Sequence, residues 1–98
     1  MRFEILYTEE AARQRRKLEN SPDLAKRWKS VRKALGWMEA TLRHPALRTH
    51  KYQTLRGPRG EEVFESYAEN NTPGAYRLFW HYGPAQGQIT ILAIVPHP

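Results

Sequence analysis

The chain has no cysteine in its 98 residues. That excludes a disulfide framework and any thiolate-bound metal, and it fits a reducing compartment. No apolar run comes near the roughly 18 residues that a membrane-crossing helix needs. The first residues run straight into a strand-like alternation, not the layout of a secretory leader. Acidic side chains are in short supply: 10 Asp and Glu stand against 16 Lys and Arg, a net charge of +6. In a chain long enough for one domain, such a surplus points to a polyanionic partner, either nucleic acid or an acidic protein segment. Repeats and low-complexity segments are absent. The expectation is a single cytoplasmic domain spanning residues 1–98, with no membrane association.

What is present has a readable order. Residues 2–7 alternate, with Phe3 and Ile5 on one side and Arg2, Glu4 and Leu6 on the other, which predicts a first strand. Thr8 is a good N-cap, and Glu9 and Glu10 follow where the helix dipole favours acids. A helix over 9–18 is expected, with a thin apolar face of Ala11, Ala12 and Leu18. Ser21 as N-cap and Pro22 at the first helical position open a second helix. There Leu24, Trp28, Val31, Leu35, Met38 and Leu42 recur at steps of four and three, the stripe of a core-facing helix. Lys26, Arg27, Lys29, Arg32 and Lys33 fall mainly off that stripe, and His44-Pro45 ends the helix. Residues 45–60 read as a long, loop-rich connection carrying His50, Lys51, Tyr52, Arg56 and Arg59. Strands are expected at 61–68, 75–82 and 88–95, the last two joined by the turn chemistry of Gly83-Pro84-Ala85-Gln86-Gly87. The order is β-α-α-β-β-β. This is an α+β, two-layer fold with two N-terminal helices on one face of a mainly antiparallel four-stranded sheet.

One residue breaks the pattern of the C-terminal hairpin. Arg77 sits in a strand that otherwise wants burial, and charged residues rarely take such places without a partner. Strand alternation puts Arg77, Phe79 and His81 on one face and Leu78, Trp80 and Tyr82 on the other. The Leu78 and Trp80 face is assigned to the helices and the Arg77 face to a ligand. The competing explanation is an ion pair between Arg77 and Glu65 on the neighbouring strand, and the two are compatible. Beyond the last strand lies His97, whose type titrates near neutral pH. Its alternative is a frayed tail.

Several pieces of this sequence are similar to one family. They are Leu-Arg-Gly at 55–57, Val-Phe-Glu-Ser at 63–66, Ala-Tyr-Arg-Leu-Phe-Trp at 75–80 and the apolar run 89–97 ending Val-Pro-His. In that order, after a strand and two basic helices, they resemble the RelE/ParE toxin superfamily of bacterial toxin–antitoxin systems, over essentially the whole chain. HigB-like and YoeB-like members show similar runs. The resemblance implies a ribosome-dependent mRNA endoribonuclease that inhibits translation without a metal or other cofactor. It also implies a cognate antitoxin, mRNA and the ribosome as partners, and a monomer or small homo-oligomer when free. The alternatives it leaves are a ParE-like, non-catalytic inhibitor of DNA gyrase and a non-toxic RNA- or protein-binding member. Two departures bear on catalysis. Tyr67 stands where HigB-like members often have Arg, and the chain ends at Pro98, without the Tyr-bearing or Lys-rich extension of several active members.

Metal-free RNA cleavage needs a base for the 2′-OH, an acid for the leaving 5′-oxygen and a cation for the phosphate. Arg77 suits the phosphate, since its guanidinium fork matches phosphate oxygens. His97 is the acid–base candidate and resembles in position the C-terminal histidine of YoeB-like and YafQ-like toxins. His50 is a second acid or base, its alternative being a solvated loop residue. Glu65 is a base or, preferably, the partner of Arg77. Lys51, Arg56 and Arg59 are expected to contact RNA phosphates, Tyr67, Phe79 and Tyr82 are candidates to stack on bases, and His81, an outward strand residue, joins the RNA-contact set. For each of these seven, simple exposure or packing is the competing role.

Overall fold

A computed structural model describes residues 2–97 of the chain. Strand β1 (Glu4–Tyr7) leads into helix α1 (Glu9–Asn20), a 3-10 turn (Pro22–Leu24) and helix α2 (Ala25–Ala40). A second 3-10 turn (Pro45–Leu47) precedes β2 (His50–Arg56), β3 (Glu62–Tyr67), β4 (Tyr76–Tyr82) and β5 (Gln88–Pro96). The sheet order is β1-β5-β4-β3-β2. β1 pairs with β5 in parallel, and the other three pairings are antiparallel.

The sheet therefore has five strands and not four. The extra one, β2, occupies part of the expected 45–60 loop. Every one of its seven residues is exposed, so it has no apolar face to announce it; backbone pairing to β3 alone makes it a strand. Most other boundaries differ by one or two residues, within the range in which strand and helix ends fray; the end of α2 comes four residues early. α1 runs two residues past Leu18, and α2 begins with a 3-10 turn and closes at Ala40, short of His44-Pro45.

Thr8 caps α1 as expected: its Oγ1 accepts the N–H of Ala11 at 3.1 Å. The same hydroxyl donates to the carbonyl of Leu92 at 3.2 Å. Leu92 is the extra residue where the β4–β5 register shifts between Phe79/Ala93 and Trp80/Ile91, a bulge. Gln14 adds a second tie, its Oε1 accepting the Ile94 N–H at 2.7 Å. Both helices pack on one face of the sheet. The α2 stripe is the core: Val31 and Met38 are fully buried, Leu35 and Leu42 nearly so, and Leu24 and Trp28 pack against them. They meet Leu78, Trp80, Ile89, Ile91 and Ile94 from β4 and β5.

A polar chain running from the core to the surface fixes how β2 enters the sheet. Trp80 Nε1 donates to Ser66 Oγ at 2.8 Å, and Ser66 Oγ in turn pairs with Thr49 Oγ1 at 2.7 Å. Thr49 is thus held on the helix side, and alternation sends the next residue, His50, to the bare side. Among the described residues no helix is long and apolar enough to cross a membrane.

Candidate functional site on the bare face of the sheet

The face of the sheet that the helices leave uncovered carries a cavity of about 540 Å³. Its floor is Phe79, Ala93 and Val95, and Tyr52, Leu55 and Pro96 form apolar walls. Glu65, Arg77 and His97 supply its charged or titratable groups. β3 and β4 bring the charged pair together. Tyr67 is directly opposite Arg77, and Glu65 is opposite Phe79, so Glu65 is the diagonal neighbour of Arg77 on the same face.

Both charges are buried, each residue only 8% exposed. Arg77 Nε lies 3.7 Å from Glu65 Oε2, close enough for attraction but too long for a hydrogen bond. That Nε–H is, among the described residues, the one buried side-chain polar group without a hydrogen-bond partner. The rest of the guanidinium is well held. Nη1 donates to the Glu69 carbonyl at 2.8 Å, and Cζ sits 3.6 Å from the centre of the Tyr67 ring, a cation–π stack.

His50 completes the group from β2, where it is paired with Glu65 in register. Its Nε2 lies 2.7 Å from Glu65 Oε1, and its Nδ1 lies 2.9 Å from the Arg48 carbonyl. A carbonyl only accepts, so Nδ1 carries hydrogen. The second contact, nitrogen to carboxylate, then holds one proton between His50 and Glu65. The His50 ring also meets Tyr67 edge-on at 6.0 Å.

Further ties set the loop behind Arg77. Glu69 Oε1 accepts from Arg27 Nη1 at 2.8 Å and from the Tyr76 N–H at 3.0 Å. Arg27 Nη2 reaches the Pro73 carbonyl at 2.8 Å. A helix arginine thus fixes the β3–β4 loop whose Glu69 carbonyl holds the Arg77 guanidinium. His97 is tied as well, its N–H donating to the Ala75 carbonyl at 2.8 Å, which keeps the residue at the cavity mouth.

Of the residues singled out from sequence, Arg77, Glu65, Phe79 and His97 line the cavity; His50 and Tyr67 contact its charged pair. The others lie elsewhere, Tyr82 beside Phe64 and Trp80 and half exposed. Lys51 points away and reaches Glu62 at 3.4 Å, and Arg56 lines a separate shallow depression beside it. Arg59 sits in the β2–β3 turn, where its N–H donates to Glu61 Oε1 at 2.8 Å. That bond is the main reason the Glu61 carboxyl is held below the ordinary glutamate range. A side chain at Gly57 would meet the Glu61 carboxylate, which would have to move aside. His81 was expected to face outward and be available to RNA, but it is only 3% exposed, with Nδ1 donating to the Tyr82 carbonyl at 2.7 Å. The sequence reading missed Tyr52 and Leu55 as cavity walls. Tyr52 packs edge-on against Phe79 at 4.8 Å. It also missed the Arg27–Glu69 tie, because Arg27 reads as one more solvated helix charge. Among the described residues no group of three or more His, Asp and Glu is placed to hold a metal ion.

A β-α-α-β-β-β-β chain with two helices on one face of a mixed sheet has the fold of the RelE/ParE toxins. Three solved structures match over nearly the full length of both chains. A YoeB/ParE toxin from Agrobacterium tumefaciens aligns over 98% of this chain and 100% of its own, with a TM-score of 0.69 at 7% identity. The YoeB dimer from Staphylococcus aureus aligns over 100% of both, with 0.64 at 15% identity. The archaeal RelE in the RelE–RelB complex from Pyrococcus horikoshii aligns over 98% of this chain and 96% of its own, with 0.63 at 14% identity. No protein-family model and no curated protein sequence matches the chain. The likeness is one of fold, held at sequence identities where side-chain roles must be argued from this chain's own geometry.

Proposed function

We propose that this protein is the toxin of a toxin–antitoxin pair and that it cuts messenger RNA on the ribosome, by a metal-independent reaction in the cavity above Glu65 and Arg77. The observation that supports this most is the buried Glu65–Arg77 pair, joined by the exposed His50, opening into a 540 Å³ cavity. A desolvated carboxylate–guanidinium pair is costly, and a cavity beside it gives the cost a use.

The chemistry is transesterification. Glu65, steadied by His50, takes the proton of a ribose 2′-OH. The 2′-oxygen attacks the adjacent phosphorus, and the bond from phosphorus to the 5′-oxygen breaks. His97 gives the leaving oxygen its proton, so the products are a 2′,3′-cyclic phosphate and a 5′-OH. Arg77 stabilises the extra negative charge on the phosphate during attack, and its unpaired Nε–H is a donor left over for that moment. Acid–base catalysis of this kind contributes about 10²–10⁴-fold, and a charged donor at the phosphate about 10²–10³-fold. Tyr52 and Phe79 give the neighbouring base an aromatic wall.

The charge of +6 suits ribosomal and messenger RNA, and it equally suits an acidic antitoxin. A bound antitoxin is named for the Pyrococcus relative, which was solved with RelB, and a dimer for the Staphylococcus one. By analogy, a cognate antitoxin and a small homo-oligomer are proposed here. One observation favours a second, non-catalytic reading of the ParE type: Nη1 of Arg77 is already engaged by the Glu69 carbonyl, which leaves less of the fork for phosphate.

Induced expression with primer extension on a reporter mRNA separates the two. Growth arrest with new 5′ ends aligned to codons, lost in Glu65→Gln and His97→Ala, is the expected result. Arrest without mRNA cuts would move the protein to the non-catalytic reading.

A further inference from the structure

We infer that a second RNA-contact site lies on the opposite side of the sheet, in a groove of about 380 Å³ between Tyr82, Phe64, Arg43 and Arg48. It would hold a base and phosphate of single-stranded RNA flanking the segment in the cavity, and in that respect it rests on the ribonuclease reading.

The groove exists because α2 stops at Ala40 and leaves the end of the helix-side face uncovered. The surface exposed there is aromatic. Tyr82 packs edge-on against Trp80 at 5.0 Å and Phe64 at 5.5 Å, yet it remains 51% exposed. Phe3 is the third ring beside it, at 6.3 Å. The rim is cationic, and no acidic residue lines it. Arg43 makes no ion pair or hydrogen bond among the described residues. Arg48 makes no ion pair there either, though its guanidinium lies 6.0 Å from the centre of the Tyr67 ring, and its backbone takes φ 48, a left-handed conformation that non-glycine residues adopt at a cost. His44 stacks on Trp37 at 4.0 Å and 11°, and its Nδ1 accepts the Ala46 N–H at 3.1 Å. Its Nε2 is therefore the hydrogen-bearing nitrogen, a further donor at the rim.

An open aromatic ring beside a guanidinium that makes no ion pair is what single-stranded nucleic acid binds: stacking for the base and charge for the phosphate. An amphipathic peptide would instead need aliphatic pockets, and Leu42 is the one aliphatic side chain in this wall besides Pro45. Position argues the same way. Arg48 lines the groove, while its carbonyl accepts from His50, the partner of Glu65 in the cavity. The residues 48–50 thus run from the groove on one face to the charged pair on the other, and an RNA chain that follows this edge of the sheet would meet both sites.

The test is anisotropy of a short, labelled, uncleavable 2′-O-methyl RNA at fixed low salt, with circular dichroism to confirm that each variant is folded. Tyr82→Ala should weaken binding by about 5–100-fold, the range for loss of one stacked base. Tyr82→Phe should bind like wild type. Arg43→Gln should lower the slope of log affinity against log salt by about one. Equal binding by wild type, Tyr82→Ala and Arg43→Gln would overturn the groove. So would Tyr82-dependent binding of an acidic peptide with no such effect on RNA. The outcomes separate the groove from the nuclease reading. Tyr82-dependent RNA binding by a protein that makes no mRNA cuts supports the groove and rejects cleavage. Cutting that persists with unchanged RNA binding in Tyr82→Ala rejects the groove and keeps cleavage.

Discussion

Strand β4 presents two faces built from alternate residues, and they obey opposite rules. On the helix side Leu78 and Trp80 are 0% and 1% exposed, apolar except for one indole N–H, and that N–H is bonded to Ser66. On the bare side Arg77 is nearly as buried, but it carries a charge, faces a carboxylate at 3.7 Å and keeps a donor without an acceptor. The first face contains what a stable fold requires. The second contains what a stable fold would discard, since buried ion pairs are often no better for stability than hydrophobic residues of similar volume. The contrast is why the bare side is the candidate functional face.

The contrast can be broken from either face. The largest expected effect is Trp80→Ala, which deletes a fully buried aromatic and leaves a cavity against α2; urea unfolding should show a loss of about 3–5 kcal/mol. A result below 1 kcal/mol would mean that the helix-side face is not the core that holds the sheet. Next is Ser66→Ala. It strips the indole N–H and the Thr49 hydroxyl of their partner and should cost about 1–3 kcal/mol. Because Thr49 delivers His50 to the opposite face, the same change should also weaken mRNA cutting on expression. Lost stability with unchanged cutting would show that β2 is positioned by its backbone alone.

How much of this was legible in the sequence follows from the same physics. Where an element buries a face, the pattern shows it: the Leu24-to-Leu42 stripe, the alternation through β4 and the apolar β5 all read correctly. The Arg77–Glu65 pairing was legible too, because two strands with known faces put those side chains on one side. β2 was not, since none of its residues is buried and a ladder of backbone bonds leaves no mark in hydrophobic periodicity. The available signal was Tyr52 and Thr54, both strand formers, followed by Gly-Pro-Arg-Gly turn chemistry before the β3 strand. With β2 went the His50–Glu65 contact, which needs the register of that strand. His81 failed for another reason: an outward-facing residue can still be buried when a neighbouring turn covers it, and alternation reports direction, not cover.

The most direct test of the central claim is the urea unfolding free energy of the double variant Glu65→Leu/Arg77→Leu beside wild type. If the pair is kept for function, the double variant should be as stable as wild type or more stable by about 1–4 kcal/mol, and its expression should neither arrest growth nor cut mRNA. A loss of several kcal/mol would contradict the account and make the buried pair part of the scaffold.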